Sequence, residues 1–117
     1  MRKPPIHKSF GNAFRGIFGM MRTERNFQIH LFALIVNLFL IVFFGLNELD
    51  TALIIIVMFF VLVTEILNTA IEKICDFINP DFDERIGFIK DIAAGAVLLA
   101  AFCAVIVGVL VYWKYVF

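Results

Sequence analysis

An all-α integral membrane protein is the fold class this chain predicts, on three observations. Of its 117 residues, 62% are hydrophobic, well above the roughly half expected of a soluble domain. The apolar residues gather in runs at 30–46, 51–64 and 92–113, on the scale of the ~17 to 25 residues that cross a bilayer core. No stretch alternates apolar and polar as a half-buried strand would. The length suits one domain, 1–117.

Pro4 and Pro5 should keep the first residues out of a helix. From about 7 to 26, Phe10, Phe14, Ile17, Phe18 and Met21 recur at helical spacing, with Lys8, Asn12, Arg15 and Arg22 opposite. A basic face backed by an aromatic one predicts an amphipathic helix lying in the headgroup region. A first transmembrane helix follows at about 28–46, its apolar run interrupted only by Asn37. After the turn Asn47-Glu48-Leu49-Asp50, residues 51–78 read as a longer helix, uncharged at first and polar in its second half, which should span and then protrude. The segment Asn79-Pro80-Asp81-Phe82-Asp83-Glu84-Arg85 is a loop. A third span at about 89–115 ends in the aromatic belt Tyr112, Trp113, Lys114, Tyr115.

Ten basic and ten acidic residues cancel, so net charge gives no argument for a nucleic-acid partner. Their placement is informative. Arg2, Lys3, Lys8, Arg15, Arg22 and Arg25 crowd the beginning of the chain against Glu24 alone, whereas the 47–50 turn has two acids and no base. The positive-inside rule then puts the N-terminus and the 79–91 loop in the cytoplasm. The basic N-terminal segment lacks the apolar core and small-residue site of a cleaved signal peptide, so it is expected to be retained. Cys75 and Cys103 have neither CxxC spacing nor neighbouring histidines, and read as packing residues.

The informative polar groups lie in the second span. At about 100° per residue, Glu65, Asn68, Glu72 and Asp76 fall within a sector of roughly 80° and make one stripe. An ordinary solvated helix end would explain Glu72 and Asp76. Glu65 is harder to explain so, because it directly follows the uncharged run Thr51–Thr64, and an acid at a membrane edge is costly enough to be a functional-site hypothesis. It suits a general base acting on a hydroxyl group that cannot leave the membrane. A three-span protomer has little interior to shelter the stripe, which predicts that another subunit covers it. The small residues Ala93-Ala94-Gly95-Ala96 would allow close helix approach.

The chain has no Walker loop, GxGxxG or HxxEH arrangement. A phosphate donor, if bound, would need its charge offset in another way. A divalent cation held by one or two carboxylates and phosphate oxygens would do this, with Glu24 and Glu72 as candidates. Lys90 offers a mobile cation for phosphate oxygens, and Asp91 could hold that ammonium or accept a ribose or adenine hydrogen bond. Arg15 and Arg22 suit lipid headgroups as well as they suit a nucleotide. His30 reads as an interfacial polar residue and His7 as a surface one.

The string Glu65-Ile66-Leu67-Asn68-Thr69-Ala70-Ile71-Glu72, then Asp76, then Lys90-Asp91 before Ala93-Ala94-Gly95-Ala96, resembles the signature of the small bacterial integral-membrane lipid kinases, the prokaryotic diacylglycerol kinase and undecaprenol kinase family. Glu24-Arg25-Asn26 with His30 resembles the matching N-terminal motif in its undecaprenol kinase form. The resemblance implies a homotrimer in the bacterial inner membrane. Its active sites would lie between subunits at the cytoplasmic face and transfer the ATP γ-phosphate to a lipid hydroxyl with Mg²⁺. It also implies that Glu65 is the catalytic base and that Glu24 and Glu72 are metal ligands. Asn12, Arg15, Asn68, Asp76, Asp81, Asp83, Lys90 and Asp91, with Glu24 and Glu72, would serve the nucleotide. The rival from another class is a trimeric membrane scaffold whose acids pair with a neighbour's basic residues.

Overall fold

The computed structural model describes residues 3–117; Arg2, part of the N-terminal basic cluster, lies outside them. The described chain is helical: α1 Ile6–Thr23, α2 Arg25–Phe44, α3 Glu48–Ile78 and α4 Glu84–Val116. The last three are long and apolar enough to cross a membrane. α3 has 31 residues, roughly 46 Å at 1.5 Å per residue, against a hydrocarbon core of about 30 Å. It therefore has length to span and protrude.

The joints follow from local hydrogen bonding. Pro5, with ψ at 154°, precedes the first turn of α1, as its missing N–H allows. α2 closes on Gly45, whose φ of 63° puts it in the left-handed region where glycine carries no Cβ penalty. Leu46 N–H then donates to Ile41 O at 3.1 Å. Asn47 Oδ1 accepts from Asp50 N–H at 2.8 Å and caps α3. That cap starts α3 at Glu48 instead of Thr51 and draws the acidic turn into the helix.

The break between α1 and α2 falls at Glu24, where the sequence predicted continuous helix to about 26. Glu24 is extended, with φ −105° and ψ 110°. Two side chains satisfy carbonyls near this helix end: Thr23 Oγ1 donates to Gly19 O at 2.8 Å and Gln28 Nε2 to Met21 O at 2.9 Å. No glycine or proline marks the position.

Met20, Phe27, Leu34, Ile54, Met58, Leu62 and Val111 form the core and tie all four helices together. Ala93 and Ala100 are also buried; small residues seven apart let α4 approach its neighbours closely. A Cβ added at Gly95 would meet nothing within 4 Å, so that residue is not used for close approach within the protomer. Cys75 is buried as a packing residue, but Cys103 is exposed, which corrects the expectation that both are packed. On α1, Ile6, Phe10, Phe14 and Phe18 are exposed.

Two polar joints cross the bundle. Asn37, the interruption in the first apolar run, accepts from Tyr112 OH at 2.7 Å and donates to Ala33 O at 2.8 Å. Asp50, 4% exposed, accepts from Lys114 Nζ at 2.9 Å and Tyr115 OH at 2.8 Å. Lys114 and Tyr115, read from sequence as belt residues, thus fasten the end of α4 to the start of α3.

Candidate active site

The break at Glu24 has a consequence at the opposite end of the bundle from Asp50. It brings Glu24 beside the second half of α3, where Glu24, Arg25, Asn26, Glu65, Asn68, Thr69 and Glu72 line one cleft of about 220 Å³. Three carboxylates and two carboxamides, from the α1–α2 joint and from α3, therefore meet there. Arg25, Asn26 and Thr69 were not singled out as site residues from the sequence, although the first two adjoin Glu24 in its motif.

Glu65 is 4% exposed and also lines an adjoining cleft of about 370 Å³, with His30, Asn68 and Glu72 on one side and Ala94, Val97 and Leu98 of α4 on the other. Its nearest basic neighbour is His30, with Nε2 3.4 Å from Oε1; this is long for a hydrogen bond. One turn along α3, Asn68 Nδ2 donates to Glu72 Oε1 at 3.2 Å. Asn68 Oδ1 is buried and has no hydrogen-bond partner. A buried carboxamide oxygen left unsatisfied is costly, so it calls for a donor or a cation.

Asp76 stands apart from this cleft. It is exposed and accepts from Lys90 Nζ at 2.6 Å, joining α3 to α4. Of the two roles open to Asp91, holding the Lys90 ammonium falls instead to Asp76, fourteen residues away from Lys90 along the chain. Lys90 and Asp91 instead line a second cleft with Asp81, Asp83, Pro80 and Phe82, of about 400 Å³.

Asp83 has a structural task in that loop. Its Oδ1 accepts the Arg85 backbone N–H at 2.8 Å, capping α4, while the Arg85 guanidinium reaches Oδ1 at 3.3 Å and Oδ2 at 3.1 Å. The guanidinium, with help from that backbone N–H, holds the Asp83 carboxyl below the usual carboxylate range. Asp81 N–H donates to Asn79 Oδ1 at 3.1 Å, and the Asp81 side chain is exposed. Within the protomer Asn12 and Arg15 join neither cleft: both are exposed on α1, and Arg15 lines a shallow groove with Phe14, Phe18 and Arg22.

Among the described residues no three His, Cys, Asp or Glu side chains cluster tightly enough to hold a metal by themselves. Two carboxylates with the orphaned Asn68 oxygen are nevertheless the hard, all-oxygen donor set that Mg²⁺ takes when phosphate and water complete its shell. The residues present fit that ion.

The prokaryotic diacylglycerol kinase family profile matches residues 11–112. The chain belongs to that family. Family membership and the three apolar helices make it a bacterial membrane protein. It is 37% identical over 106 residues to a diacylglycerol kinase of Synechocystis, covering 90% of this chain and 61% of that protein. It is also 37% identical over 105 residues to an undecaprenol kinase of Bacillus subtilis, covering 90% and 85%. A diacylglycerol kinase of Escherichia coli is 28% identical over 110 residues, covering 94% and 90%. The matched residues of this family member include every candidate site residue, from Asn12 to Asp91.

Proposed function

We propose that this family member is a Mg²⁺- and ATP-dependent lipid kinase that transfers the γ-phosphate to the hydroxyl of a membrane lipid alcohol at the cytoplasmic face. One observation carries the reading: Glu65 is buried in a wall shared by an acidic cleft, with Glu24 and Glu72, and a cleft whose α4 side is apolar. A carboxylate between polar and apolar surroundings is where a soluble phosphate donor and a lipid acceptor would meet.

In this mechanism Glu65 accepts the proton of the lipid hydroxyl as the lipid oxygen forms its bond to the γ-phosphorus. The bond from that phosphorus to the β–γ bridging oxygen breaks, and ADP leaves with the electron pair. Transfer is direct and in line, without a covalent enzyme intermediate. Glu24, Glu72 and Asn68 Oδ1 would hold Mg²⁺, which when bound would offset the charge of the transferred group. Lys90, oriented by Asp76, offers its ammonium to the phosphates, and Asp91 and Asp81 supply acceptors for ribose or base. Asn12 and Arg15 contribute from α1 of a neighbouring subunit in a homotrimer, since within the protomer they are remote from the cleft.

The orientation rests on Lys3, Lys8, Arg15, Arg22 and Arg25 at the site end. At the other end Lys114 is paired with Asp50. α1 lies in the headgroup region with its exposed aromatic residues toward the acyl chains. For the acceptor, the Glu24-Arg25-Asn26 and His30 motif favours undecaprenol over diacylglycerol. Incubating purified protein with labelled ATP and each lipid in turn tests this. Labelled undecaprenyl phosphate exceeding labelled phosphatidic acid is the expected result, the reverse order would overturn the acceptor assignment, and label in neither would overturn the kinase reading.

A further inference from the structure

Two openings meet at His30. It lines the cleft that contains Glu65, Asn68 and Glu72. It also begins an apolar groove of about 290 Å³ that runs past Ala33, Val61 and Ala104 to Gly108, away from the acids. Ala101 lines both openings as well, which leaves His30 as the polar group at the junction. A lipid alcohol whose chain lay in the groove would present its hydroxyl there.

Glu65 needs help at this junction. Asn68 and Glu72 face it from α3, and Glu24, Arg25 and Asn26 from the α1–α2 joint, while α4 offers only apolar Ala94, Val97 and Leu98. Asn68 donates to Glu72. Among the described residues, His30 is the one basic side chain within ion-pair distance of Glu65, at 3.4 Å. A base must be held in a near-attack geometry, and small misplacements are costly. Contacts of this kind are often long in unliganded enzymes and tighten with substrate.

We propose that His30 is a positioning residue, donating from Nε2 to Glu65 Oε1 and so aiming the carboxylate at the lipid hydroxyl where the apolar groove meets the acidic cleft. The inference rests on the lipid kinase reading for its consequence, but the pairing itself can be read without turnover.

The test uses the full-length protein in detergent or nanodiscs, with wild type, H30A and H30Q. H30A should lower kcat on the order of 10- to 100-fold with KM for MgATP and the thermal midpoint unchanged, and H30Q, which keeps a neutral donor, should restore most of the loss. Independently, in ¹⁵N-histidine-labelled protein the ring resonances of His30 should move in E65Q while those of His7, the other histidine, stay in place. A fully active H30A, or a His30 signal indifferent to E65Q, would overturn the positioning role alone. H30A and H30Q falling together with a raised KM for MgATP or a lowered thermal midpoint would overturn it too, because that is the pattern of a structural side chain. Absence of lipid phosphorylation by the wild type would overturn the kinase reading instead.

Discussion

Glu65 and Asp83 are both acids, yet their surroundings assign them different work. Glu65 is buried in a cleft wall, with His30 the one basic side chain within ion-pair distance among the described residues, so Gln can fill its space while losing the ability to take a proton. E65Q should lower lipid phosphorylation by about 10² to 10⁴-fold with MgATP binding and thermal midpoint retained; a transfer assay beside a thermal-shift titration checks this, and retained turnover would remove Glu65 as the base. Asp83 caps α4, and its carboxyl is held below the usual range by Arg85. With a depressed folded value, its contribution is complete above the unfolded Asp value and is lost as pH falls through the lower folded one. Protection of the Arg85 and Ile86 amides against exchange, relative to the unstructured rate at the same pH, should therefore fall only at pH below the ordinary Asp range, and at neutral pH only in D83A. The family resemblance implied a nucleotide contact for Asp83; its cap on α4 was not legible in the sequence, because where Arg85 points is set by the fold.

At the scale of helices, the joints between spans are polar groups in apolar surroundings. Asn37 in α2 meets Tyr112 in α4 at 2.7 Å, in a region where few competing partners exist. In a double-mutant cycle with N37L and Y112F the coupling should be about 0.6 kcal/mol and no more than about 1.7 kcal/mol, as for other interhelical hydrogen bonds in membranes. Unfolding in mixed detergent measures it, and additive single mutants would mean the bond contributes nothing. Asn37 was visible in the sequence as an interruption, and Tyr112 as a belt aromatic. Their pairing was not, because helical period reports which face a residue shares and not how that face is rotated toward another helix. The α1–α2 break was hidden for a related reason. Thr23 and Gln28 end the helix through side-chain bonds to carbonyls, and such bonds leave no glycine or proline behind.

For the whole molecule, the proposed site draws on three places in the chain: the α1–α2 joint, the second half of α3 and the N-terminal half of α4. A ligand that bridges them stabilises the folded bundle by mass action. MgATP at 100 times its dissociation constant should add about 2.7 kcal/mol, seen as a raised thermal midpoint in detergent. ATP with EDTA should give a much smaller rise if Glu24, Glu72 and Asn68 hold the cation. No shift with MgATP would favour the scaffold reading over the kinase.

Composition and helical period alone sufficed for the helical class, three apolar spans and the stripe of Glu65, Asn68, Glu72 and Asp76, because those are properties of one segment and its solvent. The family was suggested by the resemblance of the Glu65–Glu72 and Lys90-Asp91 motifs to its signature, and the profile match over 11–112 bears it out. Tertiary structure decided the partners: Asp76 with Lys90, Asp50 with Lys114, Asn37 with Tyr112 and His30 beside Glu65. It also set the acids that meet around Glu65 apart from Asp76, which clasps Lys90, and Asp83, which caps α4. The reason is geometric. A side chain's partner depends on the rotation and offset of packed helices, which arise from the shapes of Met20, Phe27, Ile54, Met58 and Val111 acting together, and no single stretch of sequence contains that information.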